Sequence, residues 1–198
     1  MTTRIETMLE RLRGLQAELE ATFEERRAAL RYSVVRHRVV FEEGVRAQHR
    51  AARVKLGVFL ARTRPLVVLT SPVIYSLILP LALLDLFVTV FQAICFPIYG
   101  IAKVKRRDHV AIDRQHLAYL NGIQKLNCVY CGYGNGVISF AREIAGRTEQ
   151  FWCPIKHARR VAEPHPYYPA FVDYGDAPAF QNQTEPLRAQ LRPKQNPD

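Results

Sequence analysis

Apolar residues fall along this chain in three patterns: a stripe spaced by threes and fours, then an unbroken block, then scattered positions among cysteines, glycines and prolines. In the first stretch, Ile5, Met8, Leu12, Leu15 and Leu19 form a coiled-coil-like seam, with Leu9, Phe23 and Leu30 alongside. Helical neighbours stand three and four residues apart, so this spacing predicts an amphipathic helix over residues 3–31. Phe23, Leu30, Val34, Phe41 and Val45 then step by sevens and fours, which carries the helical expectation to about residue 63 on a shifted face. The β-branched run YSVVRHRVVF over 32–41 opposes it.

The block from Leu66 to Ala102 contains no Lys, Arg, Glu or His, and its one charge is Asp85. About 20 helical residues cross the ~30 Å hydrocarbon core of a bilayer, so the block is expected in a membrane. Its Leu, Ile, Val and Phe outweigh the cost of a central Asp, about 2.5–3.5 kcal/mol. Arg53, Lys55, Arg62 and Arg64 precede the block, and Lys103, Lys105, Arg106 and Arg107 follow it. Cytoplasmic flanks carry excess Lys and Arg, so both ends prefer the same side. Pro72 and Pro80 supply break points. A proline-broken helical hairpin over 65–102 is therefore expected, with a single span over 72–94 as the rival. Asp85 then sits at the hairpin turn, or else is a functional intramembrane acid.

Charge fits the same picture. The net charge is +10, and both flanks of the block are basic. Anionic headgroups explain two basic flanks around an apolar block more simply than nucleic acid does. The N-terminus MTTRIETMLERLRGLQ lacks the apolar core of an export signal, which places the expectation at a bacterial inner membrane with the soluble parts on the cytoplasmic side.

The remaining patterns carry the candidate chemistry. Residues 108–126 are expected as a second amphipathic helix, with Ile112, Tyr119, Ile123 and Leu126 on one stripe and His109, Asp113 and His116 on a polar face that could hold a metal. Next, Cys128 and Cys131 stand two residues apart, followed by Gly132, Gly134 and Gly136, the glycine content of a tight metal knuckle. Cys153 and His157 follow, giving C-x2-C-x21-C-x3-H. Zinc accepts a Cys3His set in a closed tetrahedron, and Lys156, Arg159 and Arg160 would stabilise bound thiolates. A thiol redox pair at Cys128 and Cys131 is the alternative, as is iron. The Cys-Gly-Tyr and Cys-Pro pieces are similar to rubredoxin knuckles, but the fourth cysteine is absent. Catalytic sets are thin: Glu143, Glu149 and Asp113 are not placed together, and Cys153 with His157 is only a spacing.

From Ala162 onward the chain is rich in Pro, Gln and Asn, and residues 181–198 are expected to be disordered.

The strings SPVIYSLILPLALLDL, CFPIYGIAKVKRRDH, DRQHLAYLN, KLNCVYCGYGNG and REIAGRTEQFWCPIKHAR resemble a family of proteobacterial membrane proteins with no assigned activity. The resemblance covers residues 66–160 and implies a membrane location.

The expected architecture is mostly α. It comprises an amphipathic arm over 1–64, a membrane segment over 65–102, a Cys/His domain over 103–161 stapled by Cys128, Cys131, Cys153 and His157, and a proline-rich tail over 162–198. The expected role is a membrane-anchored binding or scaffold module. Its partners are an anionic bilayer and, through residues 3–31, a protein or a second copy.

Overall fold

The structure, a computed structural model, describes residues 2–35 and 38–193, with side chains for all of these except 2–6, 8, 9 and 38. It is mostly helical, about two thirds of the chain, with one long apolar helical run. Two compact units divide it: Met1–Ala61 with Asp113–Lys125, and Arg62–Ile112 with Leu126–Asp198.

In the first unit, α1 (Thr2–Ala29) forms where the seam predicts it. Ile5, Met8 and Leu9 lie outside the described side chains, while Leu12, Leu15, Leu19 and Phe23 are exposed. The helix does not continue to residue 63. Arg31 turns into the left-handed region at φ 56°, and β1 (Tyr32–Val35) pairs antiparallel with β2 (Arg38–Phe41). The β-branched residues of this run prefer the pleated chain, and tertiary contacts supply what a short hairpin lacks. Tyr32 meets Phe41, Phe41 meets His49, and His49 meets Tyr119 in a chain of ring contacts 5.1–5.8 Å apart. Gly44, at φ 84°, allows the turn into α2 (Val45–Ala51), whose Val45 is buried. α3 (Leu56–Arg62) follows.

The amphipathic helix expected over 108–126 is not formed. Residues 106–108 and 114–116 make single 3-10 turns instead. The next helix begins later, at a capping box: Asn121 accepts from the Gln124 amide at 3.0 Å while the Gln124 side chain accepts from the Asn121 amide at 3.0 Å.

The second unit is built on α4 (Pro65–Ser76) and α5 (Ile78–Tyr99). Leu77 alone separates them, and it is itself right-handed helical at φ −64°, ψ −11°, so the run is continuous over 35 residues. A chain reversal needs several residues outside the helical region, so the expected hairpin is not formed within this run. α5 ends in a Schellman-type turn: Gly100 takes φ 69° and the Ile101 amide donates to the Phe96 carbonyl at 2.8 Å.

After Gly100 the chain doubles back along α5. Val104 exchanges hydrogen bonds with the Gln92 side chain, Arg106 reaches Asp85, and Ile112 lies by Ile78. The partners on α5 therefore fall in number as the chain advances. α6 (Gly122–Trp152) then runs the same way as α4–α5: Tyr75 bonds Asn127, Tyr133 bonds Asp85, and Tyr99 stacks on Phe151.

At the far end, Phe96, Ile101, Val104, Phe140, Ile144 and Leu191 form the core. Leu191 comes from the segment expected to be disordered. That expectation fails because α7 (Ala177–Ala189) buries Leu187, and the chain beyond it buries Leu191. The Leu191 carbonyl accepts from the Ala102 amide at 2.8 Å, and Arg188 donates to the Phe151 carbonyl while covering its ring. Residues 194–198 lie outside the described residues.

Candidate membrane interface

The apolar block has two sides. Along α4–α5, Ser71, Tyr75, Ile78, Leu81, Asp85, Val88, Gln92, Phe96 and Tyr99 are at least partly covered. They step by threes and fours, so they form one stripe. Asp85 and Gln92, the most polar residues of the run, both lie on it. The opposite face carries Leu79, Leu83, Phe87, Val90, Ile94 and Ile98, all exposed, Phe87 to 68 % and Ile98 to 74 %. On α4, Leu66, Leu69 and Val73 are exposed to 66 %, 74 % and 70 %. A water-soluble protein rarely presents so long an apolar surface. The run is long and apolar enough to cross a membrane.

The covered stripe is satisfied by polar partners. Arg106 donates to Asp85 from Nε at 2.9 Å and from Nη2 at 2.6 Å, and the Tyr133 hydroxyl adds a third donor at 3.1 Å. The Val104 amide donates to the Gln92 side chain at 3.0 Å. This answers the question posed by Asp85: it is the counter-ion of the returning segment, and not a turn residue.

That segment forms a cationic ledge. Lys103, Lys105, Arg106 and Arg107 are all exposed residues along it. Among the described residues, Lys103 and Lys105 have no carboxylate within ion-pair distance, and Arg107 has only Asp108 at 3.8 Å. Within hydrocarbon, each uncompensated Lys or Arg costs about 2.5–3.5 kcal/mol at mid-depth.

α6 supplies the third ply. No charged residue occurs between Lys125 and Arg142. Its glycines, expected as a knuckle, are helical, and two of them pack close to a neighbour, Gly136 so closely that a side chain would collide with backbone. A Cβ on Gly136 would stand 2.7 Å from the Val110 Cα, and one on Gly134 3.1 Å from the Leu81 side chain. Beside them lies an apolar groove of about 540 Å³, lined by Tyr75, Ile78, Ile112, Leu126, Tyr130 and Tyr133 among others.

The Cys3His set is not assembled. Cys128 and Cys131 sit within α6, and Cys153 directly follows its end. A helix rises 1.5 Å per residue, so Cys131 and Cys153 are about 33 Å apart along one rod. His157 is with Cys153, its ring stacked on Tyr168 and its amide bound to the Tyr168 hydroxyl. Zinc–sulfur bonds are about 2.3 Å, so these four residues do not fit one ion. Among the described residues no group of three His, Cys, Asp or Glu could hold a metal. His109, Asp113 and His116 are not aligned on a helix either. His109 bonds Ser139 at 2.9 Å, while Asp113 and His116 belong to the first unit.

The 162–176 segment is held by a polar latch. Arg147 donates to Glu143 at 2.9 Å and to the Ala102 carbonyl at 2.6 Å, and the Tyr167 hydroxyl bonds Glu143. His165 bonds Glu149 at 2.9 Å. Burial pushes the Tyr167 phenol above its ordinary pKa, and the Glu143 hydrogen bond adds to this. Partial desolvation likewise raises the thiol of Cys153, an otherwise exposed residue, with Glu149 adding to it. Glu143 and Glu149, weighed as bases from sequence, are thus occupied in holding the 162–176 segment.

Comparison with protein-family models, with curated proteins and with solved structures finds no match to this chain.

Proposed function

We propose that this protein is a membrane-anchored binding module, held to lipid by the outer face of α4–α5. The carrying observation is the separation of the run into a stripe that takes Asp85 and Gln92 and an opposite face that carries no charge and is almost wholly apolar. Burying that face in acyl chains removes it from water at about 25 cal/mol per Å².

The returning segment, α6 and the latched 153–193 segment would be the scaffold presented beside the bilayer, held by packing and polar contacts in place of zinc. α1 would be the second attachment. Leu12, Leu15, Leu19 and Phe23 offer an exposed stripe suited to a partner helix or a second copy. A cytoplasmic-facing location at a bacterial inner membrane follows from the basic flanks.

The test is fractionation of the full chain produced in bacterial cells. The reading expects it in the membrane pellet, released by detergent and retained in alkaline carbonate. Recovery of folded protein in the soluble fraction would overturn it.

A further inference from the structure

We infer that α4–α5 lies in the plane of the bilayer, in one leaflet, with the 103–107 ledge on anionic phospholipid headgroups. This rests on the membrane-anchored reading and adds the orientation and the lipid class.

Three observations carry it. The first is where the cations are. Gly100 sends the chain back along α5, so Arg106 is fixed beside Asp85, about 20 Å from the nearer end of the 65–99 run at 1.5 Å per residue. Were the run to cross the membrane, Lys105 and Arg107 would be carried toward its centre with no carboxylate closer than 3.8 Å. Lying flat, the same geometry puts every cation of the ledge at one depth, among headgroups. The second is length. At 35 residues the run measures about 52 Å, against ~30 Å of hydrocarbon. No such excess arises for a helix in the interface, where length does not decide the mode. The third is sidedness. The ledge packs on the Asp85–Gln92 stripe, opposite Leu83, Phe87 and Ile94, so apolar and cationic surfaces face opposite ways across one helix. The helix alone is apolar at nearly every position; the two-faced character belongs to the helix together with the ledge packed on it, and that pair suits an anionic surface. This orientation also satisfies the basic residues at both ends of the run, Arg62 and Arg64 before it and Lys103 and Lys105 after it, without a hairpin.

Two measurements test this. In the first, Arg64→Cys and Lys105→Cys are made separately in the full chain with its native cysteines changed to serine. Each is probed with an impermeant maleimide on sealed inside-out and right-side-out vesicles. Labelling of both positions from the same side is expected; protection of position 105 from both sides, or labelling of the two positions from opposite sides, would mean a crossing and would overturn the in-plane orientation while leaving the anchor intact. Should the serine background fail to fold, a protease site inserted before Pro65 and another after Lys105 give the same readout.

In the second, purified protein is floated with phosphatidylcholine vesicles, with and without phosphatidylglycerol. The variant Lys103→Gln/Lys105→Gln/Arg107→Gln is expected to lose anionic-vesicle affinity at least about tenfold and to bind neutral vesicles as the parent does. Equal binding of parent and variant to anionic vesicles would overturn the headgroup contact. Failure of the parent to bind any vesicle, with a stable dimer in its place, would overturn the membrane reading itself.

Discussion

Arg106 grips Asp85 with two nitrogens, at 2.9 and 2.6 Å, across twenty-one positions of sequence. The pair fixes the height at which the returning segment crosses α5, because Asp85 is the only acid the apolar run offers. Asp85→Ala leaves the guanidinium and the Tyr133 hydroxyl without their acceptor. The expected loss is about 2 kcal/mol, the scale of hydrogen bonds to charged groups, with Asp85→Asn in between. Thermal unfolding in detergent measures it; an unchanged midpoint in Asp85→Ala would show that the pair does not hold the segment.

The two α6 glycines make opposite predictions. At Gly136 a methyl would meet backbone, 2.7 Å from the Val110 Cα and 3.0 Å from the His109 carbonyl oxygen. Gly136→Ala should destabilise by about 1–3 kcal/mol, the cost of overpacking. At Gly134 the near atom is the end of the Leu81 side chain at 3.1 Å, which can turn away. Gly134→Ala should be neutral or stabilising by up to about 1 kcal/mol, since alanine is the better helix former. Denaturation of the two variants side by side checks the contrast.

Alkaline pH should loosen the latch. The Tyr167 phenol is raised above its ordinary value of about 10, so the unfolded chain releases that proton first. The stability this contributes is complete below about pH 10 and is lost as pH climbs through the folded value. Tyr167→Phe should be less stable at neutral pH and flatter above pH ~10. A parallel slope in parent and variant would remove Tyr167 from the account. The raised Cys153 thiol acts in the same sense from about pH 9 upward.

Because Cys131 and Cys153 stand at different levels of one helix, their variants should behave independently. Cys131→Ser and Cys153→Ser are expected to leave each other's environment unchanged, and a chelator should leave the unfolding midpoint of the parent where it was. Joint loss of metal and stability in both variants would restore a shared ion.

Much of this was legible in sequence, and the failures share one cause. The seam of Leu12, Leu15 and Leu19 gave α1 because an isolated amphipathic pattern needs no long-range information. The Asn121–Gln124 box was equally readable, but the run of Ile112, Tyr119 and Ile123 suggested an earlier start. Asp85 and Gln92, seven apart, already marked one face of α5. The cysteine spacing misled because twenty-one intervening residues say nothing about whether they fold back or run straight. Here they run straight, and Gly132 and Gly136, one turn apart, are a packing face. The same gap hid Leu191, which joins the core only because the chain turns twice before reaching it.

Depth measurement by paired nitroxides at Phe87→Cys and Lys105→Cys in phosphatidylglycerol-containing vesicles tests the central claim most directly. The account predicts Phe87 deep among acyl chains, accessible to oxygen, and Lys105 at the headgroups, accessible to a polar relaxant. Lys105 as deep as Phe87, or Phe87 in water, would contradict it.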